Sequence, residues 1–151
     1  MALILAVDDE PSITKLVAVT LEAKGHEVLI ANSGIEALAA AKVKKPDLIL
    51  LDIMMPGMDG NEVRKRLLKD PETKDIPIVH LSAVGDFQQQ LTALDGGTID
   101  YITKPFSPKD LQVLVADLVD PAKRAEIKRE HDRKTGKTRT IVEIMRRHED
   151  K

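Results

Sequence analysis

The chain has 151 residues, room for one domain and an appendage, since domains most often run ~100–150 residues. Apolar residues make up 42% and charged residues 32%, with no cysteine. That composition is globular rather than disordered and excludes a disulfide scaffold, a thiolate metal site and a cysteine nucleophile. No apolar run approaches the ~18 residues of a membrane span, and MALILAVDDE turns acidic by Asp8 without a basic leader. No membrane partner and no secretory signal are expected, and a cytoplasmic location is.

The net charge of −2 is unevenly divided. Residues 1–120 hold 12 Lys+Arg against 19 Asp+Glu, a balance of −7; residues 121–151 hold 11 against 6, a balance of +5. Two parts are expected: an acidic domain over 1–120 and a basic extension over 121–151. With Phe87, Tyr101 and Phe106 as the only Phe and Tyr residues and no Trp, stacking platforms for single strands are not expected, and nucleic acid is not the expected partner.

In chain order, strands are predicted at Leu3–Val7, Glu27–Ala31, Leu48–Leu51, Ile76–Leu81 and Asp100–Thr103. Several are nearly continuous apolar runs, the pattern of strands buried on both faces of a parallel sheet. Between them Ile13, Leu16, Val17, Thr20 and Leu21 recur at helical spacing, and after the last strand so do Leu111, Leu114, Val115 and Leu118. Asp9 or Glu10 precedes Pro11 at a first-turn position, Gly25 ends that helix, and Ser33 can cap the next. Five βα repeats joined by right-handed crossovers give a doubly wound α/β sandwich.

Such sheets bind ligands beyond the carboxyl ends of their strands, at the topological switch point. Strand 1 ends in Asp8-Asp9, strand 3 in Asp52, strand 4 in Ser82-Ala83 and strand 5 in Lys104-Pro105. Three clustered carboxylates repel, and a divalent cation relieves that repulsion. Mg2+ takes carboxylates together with waters and phosphate oxygens. Lys104 adds a mobile positive charge and Ser82 a hydroxyl donor. The set suits phosphoryl transfer, with Asp52 as a nucleophile forming an acyl phosphate.

Asp8-Asp9, LLDIMMPGMDG around Asp52, LSA at Ser82 and DYITKPF around Lys104 together resemble the receiver domain of two-component response regulators, of the chemotaxis-regulator kind. The likeness spans about residues 3–120. It implies a flavodoxin-like five-stranded sheet of order 2-1-3-4-5 with five helices; the C-terminal helical extension expected beyond it is read from the tail's own residues. It implies Asp52 as phospho-acceptor, Asp9 as a direct Mg2+ ligand, Asp8 as its water-mediated partner and the Met54 carbonyl as a third protein ligand. It further implies Lys104 as the phosphoryl-binding lysine, with a cis bond to Pro105, and Ser82 and Tyr101 as switch residues. The donor would be a histidine kinase or phosphotransfer protein of a phosphorelay. Val84 and Met54 are apolar where the family varies and cannot orient hydrolytic water, which argues against fast self-dephosphorylation.

Each residue also has a plain structural reading. Asp8 and Asp9 could cap the first helix, and Lys104-Pro105 could be a surface turn. Gly57 and Gly60 read as turn glycines. His26 belongs to a turn, His80 to a packed or hydrogen-bonded strand position, and His131 and His148 to the solvated tail. Met54, Met55 and Met58 read as packing residues, and Arg64, Lys65, Arg66 and Lys69 as a solvated helix face. The competing enzyme reading is a Mg2+-dependent phosphatase with an Asp nucleophile. Against it, that class resembles Asp-x-Asp after strand 1, and here Asp8-Asp9-Glu10 lacks that spacing. A third reading makes the basic tail a nucleic-acid-binding effector.

In the tail, Pro121 can open a helix continuing over Ala122–Lys134, and Thr135-Gly136 breaks it. Ile141, Val142, Ile144 and Met145 form a short apolar stripe within Thr140–Arg147. Two readings stand. One is a helical extension ending in a frayed solvated tail. The other is docking of that stripe on the receiver or on a second copy, with the tail as dimer contact or partner element and a protein as the output partner. An exposed apolar stripe favours docking.

Overall fold

The computed structural model describes residues 2–83, 100–104, 106–123 and 125–126, with the backbone alone at 82, 83, 100, 101, 103 and 104. Five strands, β1 (Leu3–Val7), β2 (Glu27–Ala31), β3 (Leu48–Asp52), β4 (Ile78–Ala83) and β5 (Asp100–Lys104), form one parallel sheet of order β2-β1-β3-β4-β5. Four helices are described: α1 (Pro11–Glu22), α2 (Gly34–Lys44), α3 (Gly60–Lys69) and α4 (Pro108–Val119). The order is the flavodoxin-like one, and it reverses direction at β1, so the switch point lies between β1 and β3.

Strand periodicity sorts the apolar residues into two cores. Ile4, Ala6, Leu48, Leu50 and Val79 pack with Val17 and Leu21 of α1 and with Leu111, Val115 and Leu118 of α4. Leu5, Val7, Ile49, Leu51 and Ile78 pack with Ala37 and Ala41 of α2 and with Val63 and Leu67 of α3. Apolar residues on both faces of β1 and β3 are what the continuous runs LILAV and LILL require.

Local chemistry sets the helix ends. Ser33 Oγ accepts from Glu36 N at 3.2 Å and Asp59 Oδ1 from Glu62 N at 2.9 Å. Ser107 Oγ accepts from Asp110 N at 3.0 Å; caps of this kind are worth ~1 kcal/mol each. Past α1 the chain turns at Gly25, whose φ of 86° is open to glycine and strained for other residues.

The strand predictions need correction at their polar ends. β3 and β5 each run one residue further, through Asp52 and Lys104, because both residues still pair with a neighbour. β4 begins at Ile78 rather than Ile76 and ends at Ala83. Ile76 N closes a turn onto Thr73 O at 3.1 Å, and Pro77 has no N–H for the ladder. On α1, Leu16 points outward at 44% exposure while Thr14 and Ala18 are buried. Arg64 does not belong to a solvated face; it is 3% exposed. Gly60, Val63, Arg64 and Leu67 form the buried stripe of α3, and three neighbouring cations masked that period. Lys65, Arg66 and Lys69 are exposed as expected.

The fifth helix, expected between β4 and β5, lies outside the described residues. Residues 121–123 and 125–126 are helical, as Pro121 predicts. The rest of the extension, with its apolar stripe, His131 and His148, lies outside them too. No helix among the described residues is long and apolar enough to cross a membrane.

Candidate functional site

Pairing of β1 with β3 sets the acids side by side. Val7 pairs with Leu51, so Asp8 and Asp9 leave β1 where Asp52 ends β3. Ligand oxygens of Asp8, Asp9 and Asp52 all lie within 4.8 Å of one another. Asp8 is 0% and Asp52 4% exposed, and Asp9 is half-buried.

These acids are held by backbone groups. Asp8 Oδ1 accepts from Glu10 N at 3.0 Å, and Asp52 Oδ1 from Met54 N at 3.3 Å. Asp8 N donates to Ala31 O at 3.2 Å, which anchors the loop to β2. The N-cap of α1 is Glu10, and it makes no side-chain cap bond. Asp8 therefore closes a local turn and is not a helix cap.

Sequence reasoning overlooked the residue that joins these parts. Asn32 Nδ2 donates to Asp8 O at 2.9 Å and to Thr14 Oγ1 at 3.3 Å, while Thr14 Oγ1 donates to Pro11 O at 3.1 Å. Asn32 N in turn donates to Glu36 Oε2 at 2.7 Å. Thr14, buried on a face where apolar residues repeat, was the available signal. A buried hydroxyl needs a partner, and Asn32 supplies it.

Gly60 is more than a turn residue. Its N–H donates to Ile53 O at 2.8 Å, and a Cβ there would fall inside contact distance of Asp52 O and 2.8 Å from Ile53 Cα. Only glycine lets α3 start this close to the end of β3. Gly57, at φ 78°, is the turn glycine expected. Met55 is buried and Met58 packs on the core, whereas Met54 is 56% exposed beside Asp52.

His80 is fully buried, with Nδ1 3.1 Å from Leu51 O. A carbonyl only accepts, so Nδ1 carries the proton and Nε2 the lone pair. Burial pushes its pKa down to about 4; the Leu51 carbonyl opposes that, the Arg64 charge adds to it, and the Asp59 charge opposes it. Burial likewise holds the Arg64 guanidinium below its ordinary range, against the raising effect of Asp59.

Backbone register brings the remaining predicted residues to the same rim. Leu81 pairs with Asp52, Ser82 with Thr103 and Ala83 with Lys104, so Ser82 and Lys104 stand at the carboxyl ends of β4 and β5. Tyr101 pairs with His80, lower in the sheet. The side chains of Ser82, Tyr101 and Lys104, together with Val84 and Pro105, lie outside the described residues.

The donor set is all oxygen and all anionic, and two of its three carboxylates are buried. That set fits a small hard cation such as Mg2+, whose charge would offset the mutual repulsion.

The family description "Response regulator receiver domain" matches residues 4–116. The phosphate regulon transcriptional regulatory protein PhoB of Pseudomonas aeruginosa is 49% identical over 108 residues, 72% of this chain and 47% of PhoB. The DNA-binding dual master transcriptional regulator RpaA of Synechocystis is 42% identical over 119 residues, 79% of this chain and 49% of RpaA. The chain thus spans about half the length of these curated relatives. Among solved structures, Vibrio cholerae chemotaxis protein CheY4 superposes with a TM-score of 0.72 at 35% identity, covering 77% of this chain and 97% of CheY4.

Proposed function

The chain belongs to the response regulator receiver family of two-component systems, and from that premise we propose that Asp52 accepts a phosphoryl group from a histidine kinase or phosphotransfer protein. The observation that carries this reading is the convergence of Asp8, Asp9 and Asp52 within 4.8 Å at the switch point of the sheet.

In the proposed step an Asp52 carboxylate oxygen attacks phosphorus. The new O–P bond forms as the P–N bond of the phosphohistidine breaks, and the imidazole nitrogen keeps the electron pair and takes up a proton. Asp9, Asp52 and the Met54 carbonyl would hold Mg2+, with Asp8 acting through water. When bound, the ion supplies neutralisation of charge on the transferring group. Asp8 suits the indirect role because it is fully buried and one of its oxygens already accepts from Glu10 N. Lys104 would bind a phosphoryl oxygen. Ser82 would bond another, drawing the loop after β4 inward and making room for Tyr101 to turn toward the core.

On this reading the protein is a stoichiometric receiver rather than a turnover enzyme. Asp52→Asn should lose all labelling by acetyl phosphate and keep its fold, with a melting temperature unchanged or raised because one clustered charge is gone. A hydroxylamine-sensitive label retained in Asp52→Asn would place the nucleophile elsewhere. Multiple turnover of a generic phosphate ester would favour the phosphatase reading instead.

Phosphorylation would change affinity for an output partner. The names of PhoB and RpaA favour output through DNA, and the +5 balance of residues 121–151 is compatible with it. Duplex binding by the full chain that falls steeply with salt would support DNA as a partner; its absence, with a change of oligomeric state on truncation after Asp120, would support a protein-contact role for the tail.

A further inference from the structure

A second concave site lies away from the carboxylates, between the turn joining α1 to β2 and the outer face of α4. It has a volume of about 520 Å3 and is lined by Lys24, His26, Lys109, Gln112, Val113, Ala116 and Val119. That volume falls within the ~300–1,000 Å3 typical of ligand clefts.

Its chemistry is unusual for this domain. Residues 1–120 carry 19 acids, yet among the described residues lining the groove none is acidic. Neither Lys24 nor Lys109 is ion-paired within the described residues. His26 Nδ1 accepts from Ala2 N at 3.2 Å, so the ring proton sits on Nε2 and that nitrogen is a donor. Gln112 Nε2 donates to Thr20 O at 2.9 Å, which ties α4 to α1. The floor is apolar, with Val113 53% exposed and Val119 half-buried. The rim thus offers two ammonium cations and the His26 Nε2 donor, over an aliphatic base.

We propose that this groove binds an acidic, amphipathic segment of a partner protein, its carboxylates meeting Lys24, His26 and Lys109 and an aliphatic side chain covering Val113. Charge complementarity selects the occupant. A long polyanion or an anionic membrane would meet the −7 field of the whole domain. A short acidic segment would meet chiefly the local cations, because the Debye length is ~8 Å at physiological salt. The site is independent of Asp52 chemistry and is tested without phosphate.

The test titrates a short synthetic peptide of alternating Glu and Leu into the nitrogen-15-labelled full chain, with a Lys-for-Glu peptide as control. Expected are amide shifts at His26, Lys109, Val113 and Val119 with the acidic peptide alone. The double variant Lys24→Glu, Lys109→Glu should weaken binding roughly tenfold or more, and Val113→Asp should weaken it too. All three positions are exposed, and an otherwise unchanged amide spectrum checks the fold. Equal binding of the Lys peptide, shifts elsewhere, or no shifts at millimolar peptide would overturn the proposal. So would shifts at these amides that follow protein concentration without peptide, assigning the groove to a second copy, or the same shifts produced by a DNA duplex or anionic vesicles.

Discussion

Along β3, Leu48, Ile49, Leu50 and Leu51 are fully buried, and one residue further on Asp52, 4% exposed, joins its carboxylate to those of Asp8 and Asp9. The same contrast runs along β1, where Ile4–Val7 are fully buried and Asp8 follows them, also fully buried. Burying an aliphatic side chain stabilises the fold by ~1.5–3 kcal/mol. Burying clustered carboxylates opposes folding unless a partner charge arrives. The interior thus supplies stability, and the rim is a place where stability is given up for charge. Substitutions in the two regions should move stability in opposite directions.

The largest effect belongs to the interior. Leu50→Ala removes a fully buried side chain from the core beneath α1 and α4, which should lower stability by ~2–5 kcal/mol. Urea unfolding measures the loss. Mg2+ affinity of the folded fraction should stay near that of the parent, and a parallel collapse of metal binding would mean that rim and interior are not separable.

His80 sits between the two regions, and pH sharpens the contrast there. Its folded pKa is about 4 against 6.5 in the unfolded chain, chiefly through burial. Between these values the unfolded state binds more protons. The neutral ring's contribution is therefore fully present above pH 6.5 and is lost as pH falls toward 4, by roughly 3 kcal/mol in all. Comparing unfolding free energies across that range for the parent and His80→Met checks this. The variant curve should be flatter by a comparable amount; parallel curves would mean the ring already finds a partner for its charged form.

The same division explains what could be read from the sequence. β1 and β2 were legible to the residue because each apolar run stops at a polar residue that leaves the strand, Asp8 after β1 and Asn32 after β2. β3, β4 and β5 were predicted short at their carboxyl ends, because Asp52, Ser82 and Lys104 are polar residues that remain in strand geometry. Where function places charge inside an element, a hydrophobic pattern stops too early. Arg64 was misread for the converse reason, a cation on a buried stripe. The acids of the rim were legible as a set through their order at successive strand ends. Asn32 was not, since one asparagine before a serine cap carries no periodic signal.

Within the rim, the two acids after β1 should differ. Asp9 is half-buried, whereas Asp8 is fully buried with one oxygen engaged by Glu10 N. Removing an outer-shell partner typically lowers metal affinity ~10–100-fold. Asp8→Ala should fall near the lower end of that range, and Asp9→Ala, which removes a proposed direct ligand, should lose more. Mg2+ titrations followed by amide shifts give the ranking, and equal losses would show that the direct ligand is misassigned.

The smallest effect concerns the scaffold that ties rim to interior. Asn32 Nδ2 holds both the Asp8 carbonyl and Thr14 Oγ1. Asn32→Ala removes both bonds and leaves the 2% exposed Thr14 with its single bond to Pro11 O. The expected loss is ~1 kcal/mol, the net worth of a hydrogen bond in part-buried surroundings. Because Asp8 N remains bonded to Ala31 O, the loop should loosen without leaving its place. Mg2+ affinity should therefore fall by less than in Asp8→Ala. Thermal unfolding with and without Mg2+ separates the two consequences. A loss of metal affinity as large as that of Asp9→Ala would make Asn32 part of the binding site itself, and the boundary between rim and scaffold would then lie one strand further out, at the end of β2.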